Sequence, residues 1–262
     1  MCCASWRRNR TSGEERVSLA GLQLPAEETF MEYSEQSSGM PETGYWFNFF
    51  PPPDTCSHEF CGSNTVSGAQ CPNCDKPLLK LASFSASDPA LILDPTQTPS
   101  MPLLYCWTCA IPYGEFHYKI LPDGSIEILK YLESYEGAFG LGGPYDGYTG
   151  EFRAKTFSLE PQSDEEQQSL RSRFEGAEDD LPDELDYPRH QVGGFPMIYN
   201  PQSDVCPQCG AEMLTFAAIA DHALGNADAK KPEDSFADNS GVQTVFLFCR
   251  NCSVVSAYHS CD

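Results

Sequence analysis

Basic residues are scarce in this chain, and long apolar segments are absent. The sequence has 16 Lys and Arg against 38 Asp and Glu, which gives a formal net charge of −22. Nucleic-acid binding depends on basic side chains that neutralise phosphates, and without that footprint we expect no DNA or RNA partner. No segment approaches the roughly 18 uninterrupted apolar residues of a membrane span, so we expect no membrane insertion.

The amino terminus lacks the apolar core of an export signal. Residues 1–8 read Met-Cys-Cys-Ala-Ser-Trp-Arg-Arg, which is polar and basic. We therefore expect an intracellular, cytoplasmic protein, in a compartment where disulfides are rare. A strongly acidic surface suits a basic protein partner, because opposite charge accelerates the encounter. The alternative is that the negative charge serves only to keep the protein in solution.

Four Cys-x-x-Cys pairs occur in the sequence, in two matched sets. The first set is Cys71 and Cys74 with Cys106 and Cys109, and the second is Cys206 and Cys209 with Cys249 and Cys252. Two intervening residues let both thiolates reach one ion from a tight turn, as in zinc ribbons. We predict two structural Zn²⁺ sites with four cysteine ligands each, which leave no open position for catalysis. A disulfide framework or a thiol redox pair is the alternative.

The matched sets predict a duplicated module. We expect an α+β, β-rich fold in which two pseudo-repeated, zinc-ribbon-bearing β modules pack as one compact unit, because each alone has little core. A weak echo between Val17–Pro25 and His190–Met197 supports this. The predicted boundaries are a disordered N-terminus at 1–16, a first zinc-ribbon module with an aromatic insertion at 17–136, a Gly-rich loop, short helix and acidic linker at 137–188, and a second module at 189–262.

Short-range patterns predict several elements. The turn Pro122–Gly124 between alternating runs indicates a β-hairpin, and Ser163 with Glu166 indicates a capping box that opens a helix over 162–173. The aromatic run Tyr45–Pro53 reads as a strand ended by prolines, or as an exposed patch that binds a partner. Further strands are expected at 77–84, 211–220, 242–248 and 253–258.

No catalytic constellation is evident in the sequence, so we do not expect an enzyme. The five histidines share no recognisable motif with a nucleophile. Cys56, His58 and Cys61 offer three ligands for a third metal, and a metal-dependent hydrolase would need such an open site. Seven acidic residues lie within 175–186. They form either a solvated linker or a docking strip for a cationic partner.

The second half of the chain resembles a known family. His190, the Gly193–Pro196 stretch, the Cys206–Gly210 turn and the strand that leads into Cys249 are similar to the YwqG-like bacterial proteins. They are also distantly similar to the programmed cell death protein 2 group. The resemblance implies a non-enzymatic, zinc-stapled β scaffold that binds one protein, because some YwqG-like proteins are suspected immunity proteins and the other group acts as chaperones of a basic ribosomal protein.

Charge and resemblance together lead to one hypothesis. We expect a zinc-binding protein that sequesters a specific basic partner, foremost an antibacterial toxin for which it is the immunity protein. A ribosomal-protein chaperone is the alternative within this class, and a metal-dependent hydrolase is the alternative from another. In the leading hypothesis, the strip at 175–186 covers the partner's basic cleft while Trp46, Phe47 and Phe49 anchor it.

Overall fold

The computed structural model describes residues 43–51, 56–109, 111, 114–131, 152–174, 189–198, 201–220 and 242–261. Within these ranges the chain forms a curled antiparallel sheet of twelve strands and one helix. The elements are β1 (Tyr45–Asn48), β2 (His58–Phe60), β3 (Leu79–Ser85), β4 (Ser100–Tyr105), β5 (His117–Ile120), β6 (Ile126–Lys130), β7 (Lys155–Pro161), α1 (Asp164–Phe174), β8 (Gln191–Val192), β9 (Asp204–Val205), β10 (Glu212–Ala220), β11 (Val242–Cys249) and β12 (Val254–Cys261). The order across the sheet is β4-β3-β2-β7-β1-β8-β10-β11-β12-β5-β6, and β9 pairs with β10.

The β-rich class is therefore confirmed, and the strands predicted beside the cysteine pairs are present as β3, β10, β11 and β12. The predicted hairpin is also present, since β5 pairs with β6. Its turn places Gly124 at φ 82°, where a side chain would be strained, and the Leu121 amide donates to the carbonyl of Ser125. Among the described residues no helix is long and apolar enough to cross a membrane.

The middle of the sheet is built by β1 and β7, which pair antiparallel with Asn48 opposite Ser158. Phe47 of β1 and Phe157 of β7 stack with ring centroids 4.1 Å apart and planes 8° apart. Phe84 and Phe60 meet Phe47 edge-on, with centroids at 5.6 and 6.1 Å. Aromatic pairs favour these offset and edge-on arrangements, so the centre of the core is an aromatic cluster.

The two halves of the sheet share one pattern of pairing. On one side of the central strands β2, β3 and β4 follow one another, and on the other side β8, β10 and β11 do so. A β-bulge interrupts the pairing of β3 with β4 at Leu81 and that of β10 with β11 at Phe216. In each case the bulge comes after the first two paired residues of the strand. Both bulged strands therefore bend at the same distance from the adjacent cysteine turn.

Strands β5 and β6 follow β4 in the chain but do not pair with it. They continue from β12 instead, since Tyr118 of β5 lies opposite Val255 of β12. The hydroxyl of Tyr118 donates to the Pro102 carbonyl at 2.8 Å and accepts from the Leu104 amide at 3.0 Å. A side chain thus satisfies backbone groups at the edge of β4 and ties the two ends of the sheet together.

Helix α1 begins with the predicted capping box. The Ser163 hydroxyl accepts from the Glu166 amide at 3.2 Å, and the Glu166 carboxylate accepts from the Ser163 amide at 2.7 Å. The same carboxylate accepts from Trp46 Nε1 at 2.9 Å. Leu170 packs with Trp46 on the outer face of the sheet, so the cap also fixes the helix against β1.

Two described elements depart from what we expected of the predicted segments. Strand β7 lies within 137–188, which we described only as loop, helix and linker, and it joins β2 to β1. Hairpin β5–β6 lies within 17–136, yet it pairs with β12 of the segment 189–262. The predicted N-terminus at 1–16, the echo at Val17–Pro25 and the acidic strip at 175–186 lie outside the described residues.

Candidate metal centres

The first cysteine cluster joins two turns at one end of β3 and β4. Cys71 and Cys74 lie in a turn closed by hydrogen bonds from the Cys71 amide to the Lys76 carbonyl and from the Asp75 amide to the Cys71 carbonyl, both 2.9 Å long. The partner pair, Cys106 and Cys109, follows β4 directly. All four side chains are buried.

The second cluster repeats this construction beside β10 and β11. The Cys206 amide donates to the Ala211 carbonyl and the Gly210 amide to the Cys206 carbonyl, both at 2.8 Å. Gly210 has φ 70° where Asp75 of the first turn has φ 58°, so both turns end in the left-handed conformation. Cys249 ends β11 and Cys252 follows it in the next turn, with the Cys252 amide 3.3 Å from the Cys249 carbonyl. Here Cys209 is exposed and Cys252 is partly exposed.

The spacing of the sulfur atoms matches a tetrahedral metal. Four sulfurs bound to zinc at about 2.3 Å lie about 3.8 Å from one another. The Sγ atoms of Cys71 and Cys109 are 3.7 Å apart, those of Cys74 and Cys106 are 3.6 Å apart, and those of Cys209 and Cys249 are 3.6 Å apart. Within each cluster all four sulfurs lie inside 4.8 Å of one another. None of the described cysteines forms a disulfide, so the geometry fits two metal sites.

Without a metal, each cluster holds protons as well as charge. In the first, hydrogen bonds from the Cys106 and Cys109 thiols lower the pKa of Cys71, and hydrogen bonds with Cys109 and Cys71 raise that of Cys106. In the second, the Ala211 amide, followed by the neighbouring thiols, lowers the pKa of Cys209 to about 7. Metal binding must expel the remaining thiol protons, so affinity falls as the solution is acidified.

A third group of potential ligands differs from the one we predicted. Cys56 and His58 lie together with Asp88, not with Cys61. Cys61 is fully buried, and its Sγ lies 3.6 Å from the Leu81 carbonyl. The prediction of a Cys56, His58 and Cys61 site is therefore wrong in its third ligand. His58 in β2 contacts Asp88 from the loop after β3, whereas Cys61, just after β2, contacts the Leu81 carbonyl.

His58 has no lone pair to offer a metal. The Ser85 amide donates to His58 Nδ1 at 3.1 Å, so the ring proton is on Nε2, which donates to Asp88 Oδ2 at 2.9 Å. Burial, opposed by Asp88, lowers the pKa of His58 and keeps the ring neutral. His190 in the other half is used in the same way, since the Ala220 amide donates to its Nδ1 at 3.1 Å. Both histidines therefore accept a hydrogen bond from the backbone at the end of a long strand, β3 or β10, and hold it in place.

Sequence reasoning missed a buried polar network behind the second cluster. His117 of β5 lies 2.8 Å from Asp204, two residues before Cys206, and Ser256 of β12 donates to the same carboxylate oxygen at 2.7 Å. Burial works against the charge of Asp204, but the hydrogen bonds from His117 and Ser256 outweigh it and lower its pKa. Because Ser256 donates to the aspartate and not to the histidine, the network is not a nucleophile–base pair. It holds the first turn of the cluster on the sheet.

The aromatic run forms strand β1, as the first of its two readings predicted, and not the partner-binding surface of the second. Trp46 and Phe47 are 5% and 8% exposed, and Phe49 packs against the core. Trp46 and Phe47 therefore cannot anchor a partner, because α1 covers one and the central aromatic cluster encloses the other. Phe50, at 90% exposed, is the solvent-facing aromatic residue of the described part of this run.

Comparison of the chain with protein-family models, with curated proteins and with solved structures gives no match.

Proposed function

We propose that both cysteine clusters bind Zn²⁺ as structural sites and that the protein sequesters a basic protein partner without catalysing a reaction. The observation that carries the zinc assignment is the tetrahedral spacing of the sulfurs, 3.6–3.7 Å, in sets made only of cysteine. Thiolate-rich tetrahedral sites favour zinc or iron–sulfur clusters, and a single ion fits sulfurs held this closely. Four protein ligands leave no position for a reacting water.

In this proposal each zinc ion links the turns at one end of a pair of neighbouring strands. Each cluster joins the turn before one long strand to the turn after its neighbour, so one ion fixes β3 to β4 and the other fixes β10 to β11. We further propose that the two halves are copies of one unit, which the matched bulges and the matched histidines His58 and His190 support.

Charge supports the proposed partner class. A net charge of −22 raises the association rate with a basic protein and penalises acidic competitors. An antibacterial toxin is the partner we favour, which makes the protein an immunity protein located in the cytoplasm of a bacterium. A basic ribosomal protein is the other candidate of this chemistry. The hydrolase alternative loses support, because His58 spends both ring nitrogens on Ser85 and Asp88.

The test is an affinity pull-down from the native cytoplasm, with the neighbouring gene's product co-expressed and the eluate identified by mass spectrometry. We expect one basic protein, retained stoichiometrically at low salt and weakened at moderate salt, because salt screens exposed charge. A matched variant with the seven acids of 175–186 changed to Gln or Asn keeps the metal ligands and should bind more weakly. Equal binding of the variant would remove the strip from the interface, and capture of no basic protein would refute the partner class.

A further inference from the structure

The two cysteine clusters have the same ligands but differ in their exposure to solvent. In the first, every side chain is buried, with Cys71 and Cys109 at 0% exposure. In the second, only Cys206 and Cys249 are buried, while Cys209 is exposed. A small molecule in solution therefore meets a ligand sulfur at the second cluster and none at the first.

The residues inside the second Cys-x-x-Cys turn of each cluster show the same difference. In the first cluster Trp107 and Thr108 stand between the cysteines and both are buried. Trp107 packs edge-on against Tyr105, at a centroid distance of 5.6 Å, and its ring is tilted against that of His259 of β12 at 5.9 Å. The seam between β4 and β12 thus covers this turn completely.

The equivalent turn of the second cluster is open. Arg250 and Asn251 occupy the two intervening positions and both are exposed. They line a cavity of about 380 Å³ whose other walls include Gln97 and Ser253. A cavity large enough for several waters, with polar side chains in its wall, therefore adjoins the Cys249–Cys252 turn, and Cys209 of the same cluster is exposed.

We propose that the second cluster is an exchangeable metal site and that Cys209 is the ligand that soft electrophiles attack. The first cluster keeps its ion until the sheet opens. The inference rests on the zinc binding proposed above. An alkylating agent makes the step explicit: Cys209 Sγ bonds to the methylene carbon of iodoacetamide, iodide leaves with the bonding electron pair, and the product is an uncharged thioether. A thioether is a much poorer zinc ligand than a thiolate, so the ion departs.

The experiment uses the full chain, purified with its metal and counted for zinc before treatment. The protein is exposed to limiting iodoacetamide, zinc release is followed with a chromogenic chelator, and modified cysteines are mapped by peptide mass spectrometry. We expect one ion to leave in a fast phase that follows alkylation of Cys209. The ion of the first cluster should leave at least about tenfold more slowly, because its buried ligands react only after local opening. The first cluster is the internal control for the second.

Two variants sharpen the result. Cys209→Ser should hold one zinc ion per chain before treatment, because a serine hydroxyl is a poor zinc ligand, and that ion should leave only in the slow phase. Cys56→Ser, at a partly exposed cysteine outside both clusters, should keep both ions and both phases. Release of both ions at one rate, or alkylation of Cys209 with no zinc release, would overturn the inference. The initial zinc count reports on the proposed function separately: a protein without zinc refutes that proposal before any reagent is added.

Discussion

Replacing one buried ligand separates a metal site from an ordinary buried cysteine. In Cys71→Ser the serine hydroxyl is a poor zinc ligand, and the three remaining sulfurs of the first cluster lose their shared ion. Structural zinc contributes about 10–16 kcal/mol of apparent binding free energy in small zinc domains, whereas a whole domain is stable by only about 5–15 kcal/mol. We therefore expect the variant to lose one zinc ion per chain and most of its stability.

The loss of stability should be greatest in the strands that the first cluster joins. Hydrogen exchange should accelerate first in β3 and β4, which the cluster joins, and later in β10 and β11, which have their own cluster. Zinc content by elemental analysis and urea unfolding complete the assay.

The matched control is Cys61→Ser. This cysteine is as buried as Cys71 but belongs to neither cluster, and its Sγ lies 3.6 Å from the Leu81 carbonyl, to which a serine hydroxyl can donate. We expect it to keep both ions and to lose no more than about 1–3 kcal/mol. If Cys71→Ser retained two ions per chain and unfolded at the same urea concentration as Cys61→Ser, the reasoning would be refuted.

Two further predictions concern the frame that holds the clusters. Glu166→Gln removes the negative charge and one of the two oxygens that accept from Ser163 and Trp46, and should cost about 1 kcal/mol at neutral pH. Burial opposes the charge of Glu166, but those hydrogen bonds and the charge of Arg189 lower its pKa. The stabilisation by the Glu166 carboxylate is thus present above its unfolded pKa and is lost as the pH falls. In urea titrations the free energies of unfolding of the wild type and the variant should therefore converge in acid. A difference that stays constant with pH would contradict this. Phe47→Ala empties the centre of the aromatic cluster and should cost about 3–5 kcal/mol in the same assay without changing the zinc content. A loss below 1 kcal/mol would mean that the central stack is not part of the core.

Patterns that act over a few residues were predictable. The capping box at Ser163 and Glu166 and the hairpin around Gly124 both depend on neighbours in the chain, and both are present. The cysteine pairs were predictable for the same reason, because a two-residue spacing already defines half a metal site. Which pair meets which followed from their matched order, and the structure brings them together as two groups of four.

What the sequence hid are contacts between distant segments. Strand β7 (Lys155–Pro161) carries only a short alternation, with Phe157 and Leu159 between polar residues, and its central place depends on β1 and β2, which lie on either side of it. The pairing of β5 with β12 joins residues more than 130 positions apart, and no local pattern announces it. Asp88 reaches His58 by the same kind of long-range meeting. The aromatic run left two readings open, a strand or an exposed patch, because a hydrophobic run has the same appearance in sequence whether protein or solvent covers it. The structure confirms the strand.

The most direct test of the account is a native mass measurement of the full chain purified from cells without added metal. Two zinc ions per chain, both released on acidification and neither on mild reduction, is the result that the two four-cysteine clusters predict. A metal-free mass that is lighter than the sequence by the hydrogens of disulfide bonds would contradict it, and the cysteines would then be an oxidised framework instead of two metal sites.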